Sequence, residues 1–401
     1  MNHLGVILLS IGILGFCWTL FGSMFISFIF GSLKKLICSK KSIELKNEKP
    51  ISFEILIAAF NEEVTIIPTL KSFEECLKVL KKNNSNMVVS AFVGLDHCTD
   101  QTLNRVLDFK KSAKLEVRYF ENNGARGKWF ILKQLIELSS ADWVSLTDCG
   151  SIWNSDLLFR VESLLRKNDL ICVAPSYLPV NARALETIYW RLEQFIRTIE
   201  NLGGGSIMVH GLSVFYKREA LIRAIALLGD THWFNDDVAI PLTLRLDDPQ
   251  NKIYYFADIN QVAWVRDIGV VSDVRIELKR RKRILIGNLQ IIKILILPRF
   301  KFFSLTSWIS LRLVFKSFWA YWATCVGIGV MLILSSSSIL SDFLAHQSFS
   351  KILVEILFLA AVVFMIRKSN YMQRLFMAYL SGLWIFKGWN ALKEPEKISW
   401  S

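Results

Sequence analysis

Uncharged hydrophobic runs stand near both ends of this chain and are absent from its middle. Leu4 to Phe30 and Ser317 to Leu340 contain no charged residue, and Ile352 to Ile366 contains only Glu355. A helix needs about 20 mostly apolar residues to cross a bilayer core, so these runs predict transmembrane helices. Leu375 to Phe386 is also apolar but shorter, and predicts either a further span or an interfacial helix.

Charged residues beside the first run predict its orientation. No Lys or Arg precedes it, which is unlike a signal peptide. Four lysines follow it, at Lys34, Lys35, Lys40 and Lys41. By the positive-inside rule, the residues after this run are cytoplasmic and the N-terminus faces out.

The middle of the chain, residues 50–283, alternates short apolar stretches with segments of helical spacing. Strands are predicted at Ile51–Phe60, Met87–Leu95, Leu115–Phe120 and Trp143–Thr147, and helices at Val64–Lys81, Thr102–Lys110 and Lys128–Leu138. This rhythm predicts an α/β domain whose mostly parallel sheet is covered by helices. Ligands bind at the carboxyl ends of the strands in such sheets, where Asn61, Asp96 and Asp148 fall.

Composition and charge narrow the class of protein. Hydrophobic residues make up 52% of the 401 residues, and the mean hydropathy of +0.36 excludes an ordinary soluble enzyme. The net charge of +13 indicates anionic lipids or phosphorylated ligands as partners. Nucleic acid is disfavoured because the basic residues cluster beside apolar runs. The seven cysteines lie far apart, which predicts reduced thiols rather than a zinc site or a disulfide framework.

Candidate donor-binding residues follow the second and third predicted strands. Asp96 can accept a hydrogen bond from a base or ribose, whereas Asp100 is better explained as the N-cap of the next helix. The segment from Asn122 to Lys128 is rich in glycine and opens a helix, so its free amides and its lysine can bind phosphate. A plain glycine-rich turn is the alternative.

Acidic residues supply the catalytic candidates. Asp148 follows a strand and can hold a divalent ion on a diphosphate, or simply form a turn. Asp236 and Asp237 are the first residues of a predicted helix, and Asn235 before them can be its N-cap. The two acids are there either because the helix dipole favours negative charge in the first turn, or because one of them is a general base that the other supports. Adjacent helical residues point in different directions, so one would catalyse and the other support it. Arg283 lies in a basic run that suits lipid headgroups or donor phosphates.

Five short motifs therefore occur in a fixed order. They are Ile57-Ala-Ala-Phe-Asn-Glu62, Asp96-His-Cys-Thr-Asp100, Gly127-Lys128, Asp148-Cys-Gly150 and Asn235-Asp-Asp237. Framed by the apolar runs, this order resembles family 2 of the glycosyltransferases, the membrane group that includes hyaluronan, cellulose and poly-N-acetylglucosamine synthases. The resemblance covers nearly the whole chain and implies a GT-A domain on the cytoplasmic face of the cell membrane, with Mg²⁺ or Mn²⁺ as cofactor.

The resemblance also implies roles for individual residues. The implied donor-binding residues are Ala59, Asn61, Glu62, Asp96, Lys128, Asp148 and Arg283, with Asp96 on the uridine and Asp148 as metal ligand. Asp237 is the implied catalytic base and Asp236 its supporting acid, and the implied acceptor-side residues are Trp190, His210 and Gly211.

Two positions depart from the family pattern. Gly150 stands where the family's metal motif has a second Asp. The Gln-x-x-Arg-Trp motif of processive synthases is replaced by the segment from Arg280 to Ile284, in which only Arg283 matches. The missing Trp removes a stacking surface for a growing sugar chain, which argues against processive polymerisation.

The predicted function is inverting transfer of a sugar from a UDP-sugar to a saccharide acceptor in the synthesis of a cell-surface or exported polysaccharide, with export components as possible partners. Transfer of a single sugar to a polyprenyl phosphate or another lipid is the alternative enzyme. A non-catalytic scaffold or transporter subunit would leave Asp96, Asp148 and Asp237 without a shared role. The predicted domains are a span at 1–32, the catalytic domain at 50–283, interfacial or buried core helices at 284–318 and further spans at 319–390.

Overall fold

The computed structural model describes residues 3–37, 49–180, 184–257, 264–268 and 274–335. The chain forms two compact units, one of Ser23–Val270 with Leu295–Ser310, and one of Met1–Gly22, Val271–Ile294 and Leu311–Ser401. Lys40 and Lys41, and the spans predicted at 352–366 and 375–386, lie outside the described residues.

Strands and helices alternate between residues 52 and 267, and helices predominate before and after this part of the chain. The strands are β1 (Ser52–Ala59), β2 (Val88–Asp96), β3 (Glu116–Asn122), β4 (Trp143–Asp148), β5 (Ser151–Trp153), β6 (Leu170–Pro175), β7 (Tyr177–Pro179), β8 (Ser213–Lys217), β9 (Lys252–Phe256) and β10 (Val265–Asp267). The helices are α1 (His3–Cys17), α2 (Ser23–Ile37), α3 (Ile66–Lys82), α4 (Thr102–Ser112), α5 (Lys128–Leu138), α6 (Leu157–Leu165), α7 (Ala184–Glu200), α8 (Arg218–Leu228), α9 (Asp236–Asp247), α10 (Val274–Ile291), α11 (Leu297–Arg299), α12 (Leu305–Ser317) and α13 (Trp319–Ser335).

A seven-stranded sheet in the order β3-β2-β1-β4-β8-β6-β9 forms the centre of this unit. Strands β3, β2, β1 and β4 are parallel, and β8 is antiparallel to both of its neighbours. The mostly parallel α/β fold predicted from the sequence is confirmed. A second sheet, in the order β5-β10-β7, was not predicted, because strands of three residues carry no readable alternation.

Helices cover both faces of the parallel strands, which explains their unbroken apolar runs. On one face Phe53 packs edge-on against Trp153, which also contacts Phe73 of α3. On the other face α5 packs against β1 and β2. A Cβ atom on Gly94 would lie 2.5 Å from Ile131, so the glycine lets α5 approach β2 closely. The first residue of α5 is thereby held at the carboxyl edge of the sheet.

Apolar helices dominate the second unit. Glycines allow α1 to pack closely against α13, since a Cβ atom on Gly12 would lie 2.6 Å from Val326. Within the described residues, the helical segment His3–Ser32 is long and apolar enough to cross a membrane. It consists of α1, a π-helical turn at Trp18–Gly22 and the first part of α2. The helices Leu305–Ser317 and Trp319–Ile333 meet at a bend of 61°. Together, but not singly, they are long and apolar enough to cross a membrane. The second predicted span, Ser317–Leu340, therefore begins at this bend.

Candidate active site

The loop after β1 is tied to the loop after β2, so the ends of the two strands form one surface. The side-chain oxygen of Asn61 accepts a hydrogen bond from the Thr99 amide at 2.8 Å, and the Glu62 amide donates to the Thr102 hydroxyl at 2.8 Å. The Ala59 carbonyl accepts a hydrogen bond from the Cys98 thiol at 3.4 Å. Ala59, Asn61 and Glu62 thus lie together at this edge.

Asp96 ends β2 and is 2% exposed. Its Oδ2 accepts a hydrogen bond from the Gly127 amide at 2.8 Å, and its Oδ1 accepts one from the Asn122 side chain at 2.8 Å. Both carboxylate oxygens therefore fasten the turn that leads into α5. Contact between Asp96 and a nucleobase stays a prediction, and it would have to share these oxygens.

Asp100 lies two residues before the first residue of α4, so it is not the N-cap that the sequence predicts; Gln101 holds that position. The Asp100 Oδ1 accepts a hydrogen bond from the Thr102 amide at 3.0 Å, and its Oδ2 accepts one from the Glu63 amide at 3.1 Å. Asn235, by contrast, occupies the N-cap position of α9 but makes no capping hydrogen bond through its side chain. Asp100 therefore ties the start of α4 to the loop after β1 without being its N-cap, and Asn235 holds the N-cap position of α9 without capping it through its side chain.

Lys128 lies between acidic residues from two other elements. Its Nζ is 2.7 Å from Oδ1 of Asp148, at the end of β4, and 3.5 Å from Oδ2 of Asp236, the first residue of α9. The Lys128 and Asp236 side chains are 19% and 14% exposed, whereas Asp148 is 38% exposed and is the most open of the three. Lys128 lies 20 positions before Asp148 in the chain and Asp236 lies 88 positions after it. The fold nevertheless brings the three side chains together.

Asp237 belongs to the same cluster through Gly211. A Cβ atom on Gly211 would lie 3.5 Å from Cβ of Asp237 and 3.6 Å from Nζ of Lys128. The glycine therefore leaves space directly against both groups. Asp236 faces Lys128 while Asp237 faces Gly211, as expected for neighbouring residues of one helix.

The pKa values of the cluster reflect a shortage of positive charge. Burial raises the pKa of Asp237 to about 7, and the negative charge of Asp236 adds to the rise. Burial alone would lower the pKa of Lys128, but the carboxylates of Asp148, Asp236 and Asp237 outweigh it and hold that pKa above its ordinary value. Lys128 therefore stays charged, while Asp237 is poised to exchange a proton near neutral pH.

Burial also raises the pKa of Glu62, against the opposing hydrogen bond from Thr65, and nearby Asp148 adds to the rise.

Gly150, two residues after Asp148, has a φ of 86°. An Asp in this left-handed conformation would be strained, so a glycine suits the backbone at position 150. Across the described residues, no group of three or more His, Cys, Asp or Glu side chains could hold a metal ion unaided.

The predicted acceptor-side residues lie on the Gly211 side of the cluster. The ring centroid of His210 is 4.9 Å from that of Tyr177 and 6.4 Å from that of Trp190. Arg197, on α7 beside Trp190, was missed by the sequence analysis. Its spacing from Glu193, one helical turn, predicts only an ordinary ion pair, and in the structure the Glu193 Oε2 lies 3.5 Å from the Arg197 Nε.

Arg283 lies on α10, in the other unit, and its approach to donor phosphates stays a prediction. The described cysteines, at 17, 76, 98, 149, 172 and 325, form no disulfide with one another.

Solved structures of similar fold include glycosyltransferases. A mannosyltransferase from Pyrobaculum calidifontis, in complex with GDP-Man and Mn²⁺, matches with a TM-score of 0.62 and 15% identity over 96% of this chain and 100% of that chain. Residues 1–349 of TarS from S. aureus match with a TM-score of 0.44 and 13% identity over 70% of this chain and 81% of that chain. No protein-family model and no curated protein matches this sequence. At 15% identity the first similarity shows the fold alone: this chain has the GT-A-like α/β fold of that mannosyltransferase.

Proposed function

We propose that this protein is a membrane-anchored, inverting glycosyltransferase that moves a sugar from a nucleotide-sugar donor to a saccharide acceptor. The observation that carries the proposal is the cluster of Lys128, Asp148, Asp236 and Asp237 at the carboxyl edge of a GT-A-like sheet. A half-buried cation beside a more open acid suits a diphosphate, and a neighbouring acid of raised pKa suits an acceptor hydroxyl.

Each residue then has a defined chemical task. The acceptor oxygen attacks the anomeric carbon while its proton passes to the carboxylate of Asp237. The bond from the anomeric carbon to the diphosphate oxygen breaks in the same step, and the electron pair leaves with the nucleoside diphosphate. Lys128 compensates the charge that develops on that leaving group. One in-line displacement inverts the anomeric centre, because no covalent enzyme intermediate intervenes.

The residues fit a divalent ion that is completed by substrate. Mg²⁺ is commonly held by one or two carboxylates, with phosphate oxygens and water filling the other positions. Asp148 supplies such a carboxylate, partly open at the strand end. Mg²⁺ or Mn²⁺ at Asp148 would neutralise charge on the donor diphosphate.

The proposal extends to the donor, the location of the protein and its biological role. The family resemblance favours a UDP-sugar, while the mannosyltransferase of similar fold was solved with GDP-Man. The helix His3–Ser32 supports anchoring in the cell membrane, with the catalytic unit on the cytoplasmic side. Synthesis of an exported or cell-surface polysaccharide, with export partners, remains part of this proposal.

A panel of UDP- and GDP-sugars tests the function with the purified full chain in lipid, with and without Mn²⁺. We expect hydrolysis and transfer with one nucleotide class, and we expect Asp237→Asn to abolish transfer while donor binding persists. Asp230→Asn, at an exposed acid, is the matched control. Product sizing separates a polymer ladder from a single addition to a polyprenyl phosphate. Failure to hydrolyse any nucleotide sugar would refute the proposal, as would equal loss of binding and transfer in the Asp237 variant.

A further inference from the structure

Helix α7 carries an apolar row on its exposed side. Ile188, Leu192, Phe195 and Ile199 recur at the spacing of one helix face, and we call these four residues the apolar row. Ile188 and Phe195 are 62% and 57% exposed, and Leu192 and Ile199 are half-buried. A contiguous apolar surface of this kind marks a place where a protein meets another protein or a membrane.

The buried side of α7 is largely charged. Glu193, Arg197 and Glu200 are buried there, whereas the apolar row faces outwards. A surface helix of a soluble protein has the opposite arrangement, with its apolar stripe on the core. Arg191 and Thr198 are exposed beside the apolar row. An outward apolar row next to an arginine is typical of a helix that lies in the plane of a membrane surface.

The C-terminal end of α7 is fastened to α2, which belongs to the same unit. The Ser23 hydroxyl donates a hydrogen bond to Oε1 of Glu200, the last residue of α7. The turn Asn201–Gly203 follows, and a Cβ atom on Gly203 would lie 2.8 Å from Oγ of Ser27. Small residues one helical turn apart on α2 therefore receive the end of α7.

This contact lies within the apolar length of α2. The first part of α2 ends the segment His3–Ser32, and two lysines follow it, so the headgroup boundary falls near Ser32. Ser27 and Ser23 precede Ser32 by five and nine residues. At about 1.5 Å per residue, they lie about 8 and about 14 Å deeper. Interfacial helices bury their apolar face about 5–10 Å into this boundary. The end of α7 is therefore at a depth where lipid surrounds it and soluble partners are absent.

We propose that α7 is a membrane-docking helix whose apolar row is covered by the acyl chains of the bilayer that holds the segment His3–Ser32. Arg191 then extends from the row to the lipid phosphates. The inference rests on the membrane anchoring in the proposed function and goes beyond it, because the sequence predicts interfacial helices only at 284–318. Phe302 and Phe303, in that stretch, are exposed on the same unit and suit the same surface.

Photocrosslinking of the full chain in nanodiscs of phosphatidylethanolamine and phosphatidylglycerol tests the docking. The photoreactive residue p-benzoyl-phenylalanine replaces Phe195, and mass spectrometry after irradiation measures the lipid adduct. The same replacement at Phe28, an exposed residue of the segment His3–Ser32, is the positive control. Replacement at Tyr119, an exposed aromatic residue of β3, is the negative control. Strand β3 lies at the edge of the sheet opposite β9, the strand that α7 contacts. We expect the yield at Phe195 to match that at Phe28 and to exceed that at Tyr119 roughly tenfold.

A lipid yield at Phe195 no higher than at Tyr119 would overturn the proposal. An adduct with a peptide instead of a lipid would do the same, whether the peptide comes from this chain or from a second copy. If the Phe195 variant does not fold, judged by its melting midpoint, the photoreactive residue at Ile188 carries the same expectation. No lipid adduct at Phe28 refutes the anchoring and the docking with it.

Nucleotide-sugar hydrolysis by the wild type in the same discs separates this inference from the proposed sugar transfer. Active protein whose Phe195 variant gives no lipid adduct refutes the docking alone. A lipid adduct at Phe195 together with inactive wild-type protein refutes only the sugar transfer.

Discussion

Asp237→Asn should stabilise the fold while abolishing sugar transfer. The pKa of Asp237 rises from 3.8 to about 7 in the folded state. Above pH 7 the ionised carboxylate therefore costs the fold up to about 4 kcal/mol. Asparagine removes that cost, but it forfeits about 0.3–1 kcal/mol because an acid in the first turn of α9 is favoured by the helix dipole. The net gain is about 3 kcal/mol at pH 8.

The pH dependence of this gain has a definite sign. A raised carboxylate pKa means that the folded state holds the proton more tightly, so the penalty grows as pH rises from about 4 to about 7. At pH 5 folded Asp237 is already protonated, and the gain from asparagine shrinks to roughly 1 kcal/mol. The variant should thus differ most from the wild type in alkaline buffer.

Thermal melting of the full chain in lipid at pH 5 and pH 8 measures this effect. We expect the midpoint of the variant to exceed that of the wild type by about 5–10 °C at pH 8 and by much less at pH 5. Asp108→Asn, at an exposed acid paired with Lys111, should shift neither midpoint. A lower midpoint for Asp237→Asn at pH 8 would refute the reasoning, because it would make the carboxylate a structural group.

Three further predictions test the same edge of the sheet. The transfer rate should rise with pH through about 7, because Asp237 must be ionised to accept a proton; a pH–rate profile with no such limb would contradict this. Gly150→Asp should not strengthen Mn²⁺ binding in calorimetry and should destabilise the fold by about 1–3 kcal/mol through strain at its φ of 86°. Asp96→Asn should lose a charged hydrogen bond, to the Gly127 amide or to the Asn122 side chain, raise the KM for donor and lower the melting midpoint, whereas Asp108→Asn, at an exposed acid, should do neither.

The parallel half of the sheet could be predicted from the sequence because it is buried on both faces. Strands β1, β2 and β4 read as unbroken apolar runs that stop at polar residues, and the structure ends them within two residues of the predicted positions. The helix predicted at Lys128–Leu138 is found with those bounds. Strand β8 could not be predicted in the same way, because its antiparallel place between β4 and β6 depends on pairing with residues far away in the chain.

The candidate site likewise contains residues that the sequence could identify and one that it could not. Residues that end strands or open helices, such as Asp148 and Lys128, were recognisable because topology alone brings such positions together. Arg197 was not, because its significance arises from unsatisfied nitrogens and from packing over Tyr255, at 5.5 Å, a residue of a distant strand. On sequence alone, the Glu193–Arg197 spacing is an ordinary helical ion pair.

The hydrogen bonds of Asp96 in the structure differ from the role that its motif implies. The family resemblance implies a nucleobase ligand, yet in the structure Oδ2 accepts from the Gly127 amide, and Oδ1 accepts from the Asn122 side chain and lies 3.0 Å from Nδ1 of His97. A carboxylate has about four lone-pair sites, so a further donor can be accepted without breaking either bond. The same residue can therefore hold Lys128 in place and still meet a base. The Asp96→Asn variant tests the first role, because asparagine keeps one acceptor oxygen and turns its amide towards a donor.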